Sequence, residues 1–295
     1  MTDVPTVSQL VYGPTAASTV PVGDHSLVRG LDKRDLSGRG PDAGASGEDH
    51  CTSGKAALEE LLKIAPLLPV AVSENRHFAL RGVTAAALGD VDQILNLGAG
   101  LPTPGGVSVN DVVRHHQPLA RVVHVDGSQG VAVPDRAMLA RVDNVLLVHA
   151  DARDPARVLN EARELLDESK PVCIVATALL HLWRNDENPA GVLHEYMRAF
   201  PAGYLVFSHC CWDKVEPAKL ARLRAIYQRY FMPIYPRTAA EIAVMLDGLD
   251  VQEPGLVEAS QWRSNDRRID VGDAYFLAAV AKFGQYVVTS ARDAA

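Results

Sequence analysis

The sequence has no surplus of positive charge and no long apolar run. Its 29 Lys and Arg residues are outnumbered by 36 Asp and Glu residues, so the net charge is −7 and the pI is near 5.8. Nucleic acids and anionic membranes are recognised by clustered basic residues, so this composition argues against both partners. No apolar stretch reaches the roughly 18 residues of a membrane span, and the N-terminus lacks the pattern of an export signal. We therefore expect a cytoplasmic protein with a small-molecule partner, no nucleic acid and no membrane.

Cysteine is also scarce, with four residues among 295. Cys51, Cys173, Cys210 and Cys211 show neither CxxC spacing nor the Cys and His spacing of a zinc site. Cys173 lies inside an apolar run, which predicts a buried thiol, and adjacent cysteines rarely bridge each other. We expect free thiols in a reducing compartment and no metal site.

Residues 1–50 contain few large apolar side chains and are rich in Gly, Ser, Pro, Asp and Thr. A segment of this composition cannot bury much apolar surface. Two interpretations remain open, namely a flexible tail and a lid that orders over a bound ligand. Residues 51–295 are long enough to form one large α/β domain with a substantial core.

Within that region, short apolar runs typical of buried strands alternate with helical patterns. The predicted strands cover 94–97, 121–126, 142–149, 171–176 and 203–208, and the predicted helices cover 55–64, 73–88, 107–116, 128–140, 154–168, a segment from 188, 217–230 and 238–246. Ser73 and Asp154 are the expected N-caps of their helices. Two further strands near 256–262 and 274–281 predict an antiparallel pair at one sheet edge. The expected fold is an α/β doubly wound sheet with helices on both faces.

Two kinds of residue follow the predicted strands. The first strand runs into the glycine turn Gly98-Ala99-Gly100, which is weak evidence for a nucleotide site when taken alone. Asp126 and Asp151 follow the second and third strands, where ligands of open α/β sheets bind. Their carboxylates could accept hydrogen bonds from ribose hydroxyls and from an adenine amine, respectively. Because Asp also caps helices and solvates strand ends, that alternative stays open.

Several motifs occur together in one order along the chain. They cover 74–76, 96–103, 123–126, 151–155, 179–181, 205–209, 237–242 and 253–257. In this order they resemble the bacterial S-adenosyl methyltransferase family, once known only as a domain of unknown function, over roughly residues 46–282. The resemblance implies a class I methyltransferase (Rossmann-like) fold, a seven-stranded sheet whose last two strands form an antiparallel edge hairpin.

The resemblance also implies S-adenosyl-L-methionine as cofactor and S-adenosyl-L-homocysteine as product. The implied cofactor-binding residues are Arg76, Asn96, Gly98, Ala99, Gly100, Leu101, Pro102, Thr103, Asp126, Gly127, Ser128, Asp151, Ala152, Thr177 and Ala178. Two departures stand out. Asn96 occupies a position where the family usually carries an acid, and Gly127-Ser128 replaces a more polar pair.

The sequence offers two candidate general bases, His181 and His209, because an unperturbed imidazole titrates near neutrality. Methyl transfer needs a base only if the acceptor must lose a proton, and a histidine at a strand end can also serve packing alone. Aromatic residues and cysteines lie close to these histidines in the sequence. The predicted acceptor pocket consists of Trp183, Ser208, Cys210 and Trp212.

The leading hypothesis is a methyltransferase that uses S-adenosylmethionine and acts on a small-molecule acceptor in bacterial secondary metabolism. A second hypothesis is a sensor, or an enzyme that binds S-adenosylmethionine without transferring its methyl group. A third is an NAD-dependent oxidoreductase, which predicts a third glycine where the chain has Pro102-Thr103-Pro104. The sequence does not decide the oligomeric state, and a homo-oligomer is one of the alternatives.

Overall fold

The computed structural model describes residues 59–100, 107–127, 142–230, 232–264 and 268–284, and all structural statements refer to these ranges. Several expectations lie outside them. These are the tail or lid over 1–50, Cys51, the cofactor residues at 101–103, Ser128 and the helix predicted over 128–140.

In the described part of the chain eight strands form one sheet, one more than the seven expected. Their order is β3-β2-β1-β4-β5-β8-β6, with β7 also paired to β8. The strands are β1 Gln93–Leu97, β2 Arg121–Val125, β3 Val145–Val148, β4 Val172–Thr177, β5 Ala202–Cys211, β6 Asp250–Val251, β7 Val257–Glu258 and β8 Tyr275–Gly284. The first five run parallel, whereas β8 runs antiparallel to β5. Parallel neighbours need crossover helices, which bury the sheet on both faces. The predicted class I methyltransferase fold is confirmed.

The helices begin where the sequence provides caps, with one exception. They are α1 Leu68–Leu88, α2 Val109–His116, α3 Pro155–Ala162, α4 Pro189–Arg198, α5 Pro217–Tyr230 and α6 Ala239–Val244, with 3₁₀ turns at Leu180–Leu182 and Asn185–Glu187. Asp154 caps α3 as predicted, accepting a hydrogen bond from the Arg157 amide at 3.1 Å. The N-cap predicted at Ser73 is wrong, because α1 already begins at Leu68 with a proline in its first turn, where proline is favoured. Helix α3 also ends at Ala162 and not near residue 168.

Helix α1 lies across β4, β5 and β8. It approaches the sheet closely at Gly82, where a Cβ atom would stand 2.5 Å from Cγ1 of Val206. Arg81 fixes the helix further by donating hydrogen bonds to the carbonyls of Trp262 at 2.8 Å and Ala259 at 2.6 Å. None of the described helices is both long and apolar enough to cross a membrane.

The outer edge of the sheet differs from the predicted hairpin. In place of one strand over 256–262, two short strands pair with β8, β6 opposite Lys282 and Ala281 and β7 opposite Ala278 and Leu277. Residues 252–256 therefore stand opposite only Ala279 and Val280, and the chain bulges outward. Pro254 has no amide hydrogen for the ladder, and Gly255 adopts a φ of +93°, so the strand is interrupted here.

Candidate functional site at the carboxyl ends of the parallel strands

The glycine turn after β1 and the acid after β2 contact each other directly. Gly98 and Gly100 have φ values of +63° and +66°, a region that residues with a Cβ atom rarely adopt. The Gly100 amide donates a hydrogen bond to Oδ2 of Asp126 at 2.8 Å, and the Ala99 amide donates to the carbonyl of Val125 at 3.0 Å. The turn is therefore held against the end of β2, and the Asp126 carboxylate lies beside its backbone.

Asn96 lies in β1 immediately before this turn and belongs to a buried polar chain. Its Nδ2 donates to Nδ1 of His124 in β2 at 3.0 Å, and Nε2 of the same ring lies 3.0 Å from Oδ1 of Asn110 in α2. Burial lowers the pKa of His124 to about 4, so the ring is neutral at pH 7. Sequence reasoning missed His124 and Asn110, because the pairing of Asn96 with His124 depends on the register of β1 and β2 and leaves no local signal in the sequence.

The loop after β3 presents Asp151 at the edge of the site. Arg153 binds both carboxylate oxygens of Asp151 through its side chain, at 2.6 to 3.0 Å, and reaches Glu187 at 2.7 Å. Burial opposes ionisation of Asp151, but the hydrogen bonds and charge of Arg153 outweigh it and lower its pKa. Next to it, the carbonyl of Ala152 accepts a hydrogen bond from the Tyr196 hydroxyl at 2.9 Å. Gly127 packs closely on this loop, since a Cβ atom there would stand 3.2 Å from the carbonyl oxygen of Ala150.

At the other side of the site, the ends of β4 and β5 are joined through Ala178, which follows Thr177 with a φ of +52°. Its amide donates to the side-chain oxygen of Ser208 at 3.0 Å. Ser208 and Cys210 are buried in β5, and the burial of Cys210 raises the pKa of its thiol well above the usual range. A thiol held protonated in this way is not available as a nucleophile.

His209 has both ring nitrogens engaged within the protein. Nδ1 donates to the Cys210 carbonyl at 2.8 Å, and Nε2 accepts a hydrogen bond from Arg237 at 2.7 Å, because a guanidinium group can only donate. Burial, together with the charge of Arg237, lowers the pKa of His209 to about 3. In this arrangement His209 holds the loops in position and has no free nitrogen with which to accept a proton from an acceptor.

His181 lies next to His209, with ring centroids 5.8 Å apart, and also contacts Phe276 at 5.9 Å. Its Nδ1 atom is buried and finds no hydrogen-bond partner in the described part of the chain. Burial lowers the pKa of His181 well below its usual value, and the nearby His209 and Arg237 lower it further. His181 is therefore a neutral ring whose buried Nδ1 has no partner among the described residues.

Arg237 joins the segments around these histidines. Besides His209 it donates to the carbonyls of Leu180 at 3.1 Å and Trp183 at 3.0 Å, and to Oδ1 of Asn185 at 2.6 Å and 3.0 Å. Sequence reasoning gave Arg237 no role beyond its place in a family motif. Because these acceptors all bind one buried guanidinium group, Arg237 fixes the loop after β4 to the end of β5.

A cleft of about 790 Å³ opens beside this network. Its walls come from the second 3₁₀ turn, the end of β5, α5 and the start of α6, and they include Asn185, Trp212, Tyr235, Arg237 and Glu241. Trp212 is buried against Tyr227 with ring centroids 5.9 Å apart, and its indole nitrogen has no partner among the described residues. Of the predicted pocket residues, Trp212 lines the cleft, whereas Trp183, Ser208 and Cys210 are buried and do not line it.

The structure thus brings together most of the described residues predicted for the site. Arg76 lies half-buried in α1. Its predicted contact with a cofactor stays a prediction.

Comparison with known proteins identifies the family and the fold of this chain. The sequence model of a family described as S-adenosyl methyltransferase matches residues 38–284. A DUF574 family protein from Streptomyces avermitilis is similar in structure, with a TM-score of 0.72, 28% identity and coverage of 77% of this chain and 89% of that chain. A methyltransferase candidate from Thermobifida fusca has a TM-score of 0.71 and 28% identity, and the match covers 79% of this chain and 88% of that chain. None of the curated proteins compared matches the chain.

Proposed function

We propose that this chain, which belongs to the S-adenosyl methyltransferase family, methylates a small-molecule acceptor bound in the cleft beside Trp212. The chain is an S-adenosylmethionine-dependent methyltransferase with S-adenosyl-L-methionine as its cofactor. The observation that carries the proposed site is the contact between the Gly100 amide and Asp126 at the carboxyl edge of the sheet. A role in secondary metabolism stays a prediction.

The residues at the glycine turn fit the cofactor. A Cβ atom at Gly100 would meet no atom of the described residues within 4 Å, so these residues leave space in front of its backbone. The Asp126 carboxylate can accept hydrogen bonds from both ribose hydroxyls while one oxygen keeps its bond to Gly100, because a carboxylate offers about four acceptor positions. Asp151 is proposed to face the adenine, with its orientation fixed by Arg153.

The acceptor side is proposed to lie in the cleft lined by Trp212 and Tyr235. When bound, S-adenosylmethionine supplies a methyl group that its positive sulfur makes strongly electrophilic. The task of the protein is then to align the acceptor and exclude water. The hydrogen bonds of Arg237 support this role, since they hold the loops that form the cleft wall.

His181 is proposed to assist the transfer from the wall behind the cleft; its Nδ1 is buried and does not line the cleft, so a direct hydrogen bond to the acceptor requires the loop after β4 to shift. Its depressed pKa keeps the ring neutral at pH 7, so the nitrogen lone pair is available. His209 is assigned a positioning role, because Arg237 occupies its Nε2. We expect His181→Ala to lower turnover by about 10²-fold or more, the usual contribution of a proton-handling side chain, while the Kd for S-adenosylmethionine changes little.

A two-part experiment tests the proposed function. Calorimetric titration with S-adenosylmethionine, S-adenosylhomocysteine and NAD measures cofactor preference, and formation of S-adenosylhomocysteine across a panel of small-molecule acceptors measures transfer. Binding of the first two ligands together with turnover of at least one acceptor is the expected result. Binding without turnover across the panel would favour a sensor, and preferential binding of NAD would overturn the proposal.

Two variants separate the two halves of the site. Asp126→Asn should weaken cofactor binding, whereas Trp212→Leu should raise the KM for the acceptor and leave the cofactor Kd unchanged. Equal effects of Trp212→Leu on both ligands would contradict the placement of the acceptor in the cleft.

A further inference from the structure

Helix α5 turns one of its faces toward the cleft. The residues of α5 that line the cleft are Pro217, Leu220, Ala221 and Arg224. Their spacing of three, four and seven residues is that of neighbours on one side of a helix. Arg222 lies on the same helix, but it does not line the cleft. The helical period therefore distinguishes two exposed arginines, of which Arg224 is the one that borders the cleft.

The other charged side chains of the cleft wall have partners of opposite charge. Arg184 donates a hydrogen bond to the carboxylate of Asp186. Glu241 accepts hydrogen bonds from the amide and the hydroxyl of Thr238, both at 2.8 Å. These bonds and the charge of Arg237 lower the pKa of Glu241, so its carboxylate is ionised near a cation.

Asp213, the remaining described acid of the wall, is also engaged. Its Oδ1 accepts a hydrogen bond from the Tyr275 hydroxyl at 2.8 Å. Burial opposes ionisation of Asp213, but this bond and the charge of Lys214 help to lower its pKa. Arg224 differs from these residues, because within the described ranges no hydrogen bond, ion pair or ring contact reaches it. The wall thus carries one cation without a partner, whereas its described acids are already paired.

A second hydrogen-bond donor of the wall also lacks a partner. Trp212 lines the cleft and is 3% exposed, and no described residue accepts a hydrogen bond from its indole nitrogen. A buried N–H group without an acceptor costs free energy and is rare. The Trp212 ring packs against Tyr227, which is three residues after Arg224 on α5. Cβ atoms at this spacing are about 5 to 6 Å apart, so the two unused donors are both close to Tyr227.

We propose that the methyl acceptor is a small organic acid, and that its carboxylate binds the guanidinium group of Arg224 in the cleft. The inference rests on the proposed function, to which it adds the charge of the acceptor. A guanidinium group presents its N–H donors in a planar fork that matches both oxygens of a carboxylate. A cationic acceptor would instead meet an unpaired arginine and carboxylates that already have partners, so the cleft selects against amines that carry no acid group. The unused N–H group of Trp212 supports the same polarity, since it also requires an acceptor atom from the ligand.

Three variants test the contact with Arg224. Arg224→Met removes the charge and keeps an unbranched apolar side chain, whereas Arg224→Lys keeps the charge and loses the planar fork. Arg222→Met is the matched control, because it changes the net charge of the chain by the same amount on the same helix but away from the cleft. Both arginines are exposed, so we expect every variant to fold, and the melting temperature of each checks this expectation.

The readout uses pairs of ligands that differ only in the anionic group. The pairs are hydroxybenzoates and aminobenzoates, each with its primary amide, and their Kd values are measured by calorimetry on the full chain saturated with S-adenosylhomocysteine. We expect the wild type to bind an acid about tenfold more tightly than its amide, the size of one hydrogen bond between charged groups. The preference should fall to about twofold or less in Arg224→Met, lie between these values in Arg224→Lys, and equal that of the wild type in Arg222→Met.

Turnover of the same ligands with S-adenosylmethionine separates binding from transfer. Arg224→Met should raise the KM of an acid and leave its kcat unchanged, because a contact made equally in the ground state and the transition state changes binding alone. Amides methylated as efficiently as their acids, no binding of any acid, or an equal loss of preference in Arg222→Met would overturn the inference and leave the proposed function in place. Acids that bind through Arg224 but are never methylated would overturn the proposed function, and with it the assignment of the acid as the acceptor.

Discussion

Acidification should destabilise this protein well above the pH at which carboxylates titrate, because three histidines are buried in neutral form. The pKa values of His124 and His209 are lowered to about 4 and about 3, and that of His181 is lowered well below its usual value. In the unfolded chain the same rings titrate near pH 6.5. The unfolded state therefore binds more protons, and the free energy of unfolding falls as the pH drops below 6.5 toward the folded-state pKa values.

The magnitude follows from this linkage. For one histidine that is neutral when folded, lowering the pH from 7 to 5 reduces the free energy of unfolding by RT ln[(1 + 10^1.5)/(1 + 10^−0.5)], about 1.9 kcal/mol. His124 and His209 together give a loss of about 4 kcal/mol, and His181 changes the stability in the same direction. This loss is a large part of the about 5 to 15 kcal/mol typical of a domain. Unfolded carboxylates titrate near pH 4, so their contribution falls mostly below pH 5.

Urea denaturation at pH 7, 6 and 5 measures this loss directly. We expect His124→Gln to reduce the difference between pH 7 and pH 5 by about 1.9 kcal/mol, whatever its effect on stability at pH 7. His115→Gln replaces an exposed ring at the end of α2 and should leave the difference as it is in the wild type. A wild-type stability that changes by less than about 1 kcal/mol over this range would refute the assignment of three neutral buried histidines.

Three further changes test other parts of the site. Asp126→Asn should weaken S-adenosylmethionine binding by about 10- to 100-fold in calorimetry, since a charged acceptor is lost, while the melting temperature without ligand stays close to that of the wild type. Arg237→Met should lower the free energy of unfolding by about 3 to 5 kcal/mol because buried acceptors lose their donor; Arg224→Met, an exposed arginine of the same cleft, should change it by less than about 0.5 kcal/mol. Gly98→Ala should destabilise more than Gly100→Ala. Both positions have positive φ, at a cost of about 1 to 2 kcal/mol, but within the described ranges only the Cβ added at Gly98 would meet a side chain, 2.7 Å from Cδ1 of Leu179.

Local signals sufficed for much of the fold. Helix α5 begins and ends at the predicted residues 217 and 230, and the Asp154-Pro155 and Asn188-Pro189 pairs mark the starts of α3 and α4. In each case one capping side chain and one proline decide the start, and both are visible in the sequence. The start of α1 was missed because its buried faces extend nearly around the helix, so the apolar pattern gives no clear boundary.

The connections within the site could not be read from local pattern. Arg237 lies 28 residues after His209 and reaches it only because the chain returns beside β5. The role of His209 changes with this contact, from a candidate base to a ring with both nitrogens occupied. Asn96 and His124 are likewise 28 residues apart, and only the parallel register of β1 and β2 makes them neighbours.

The interruption between β6 and β7 also affects whether another copy of this protein can pair with the sheet edge. An exposed sheet edge with a continuous row of amides and carbonyls can template strand addition by another chain, which leads to aggregation. Here each edge strand offers only two residues, and the bulge over 252–256 separates them. A strand from a neighbouring chain could pair with only two residues at a time along this edge, because the bulge interrupts the row of backbone groups. The interruption therefore opposes the addition of a further strand outside β8.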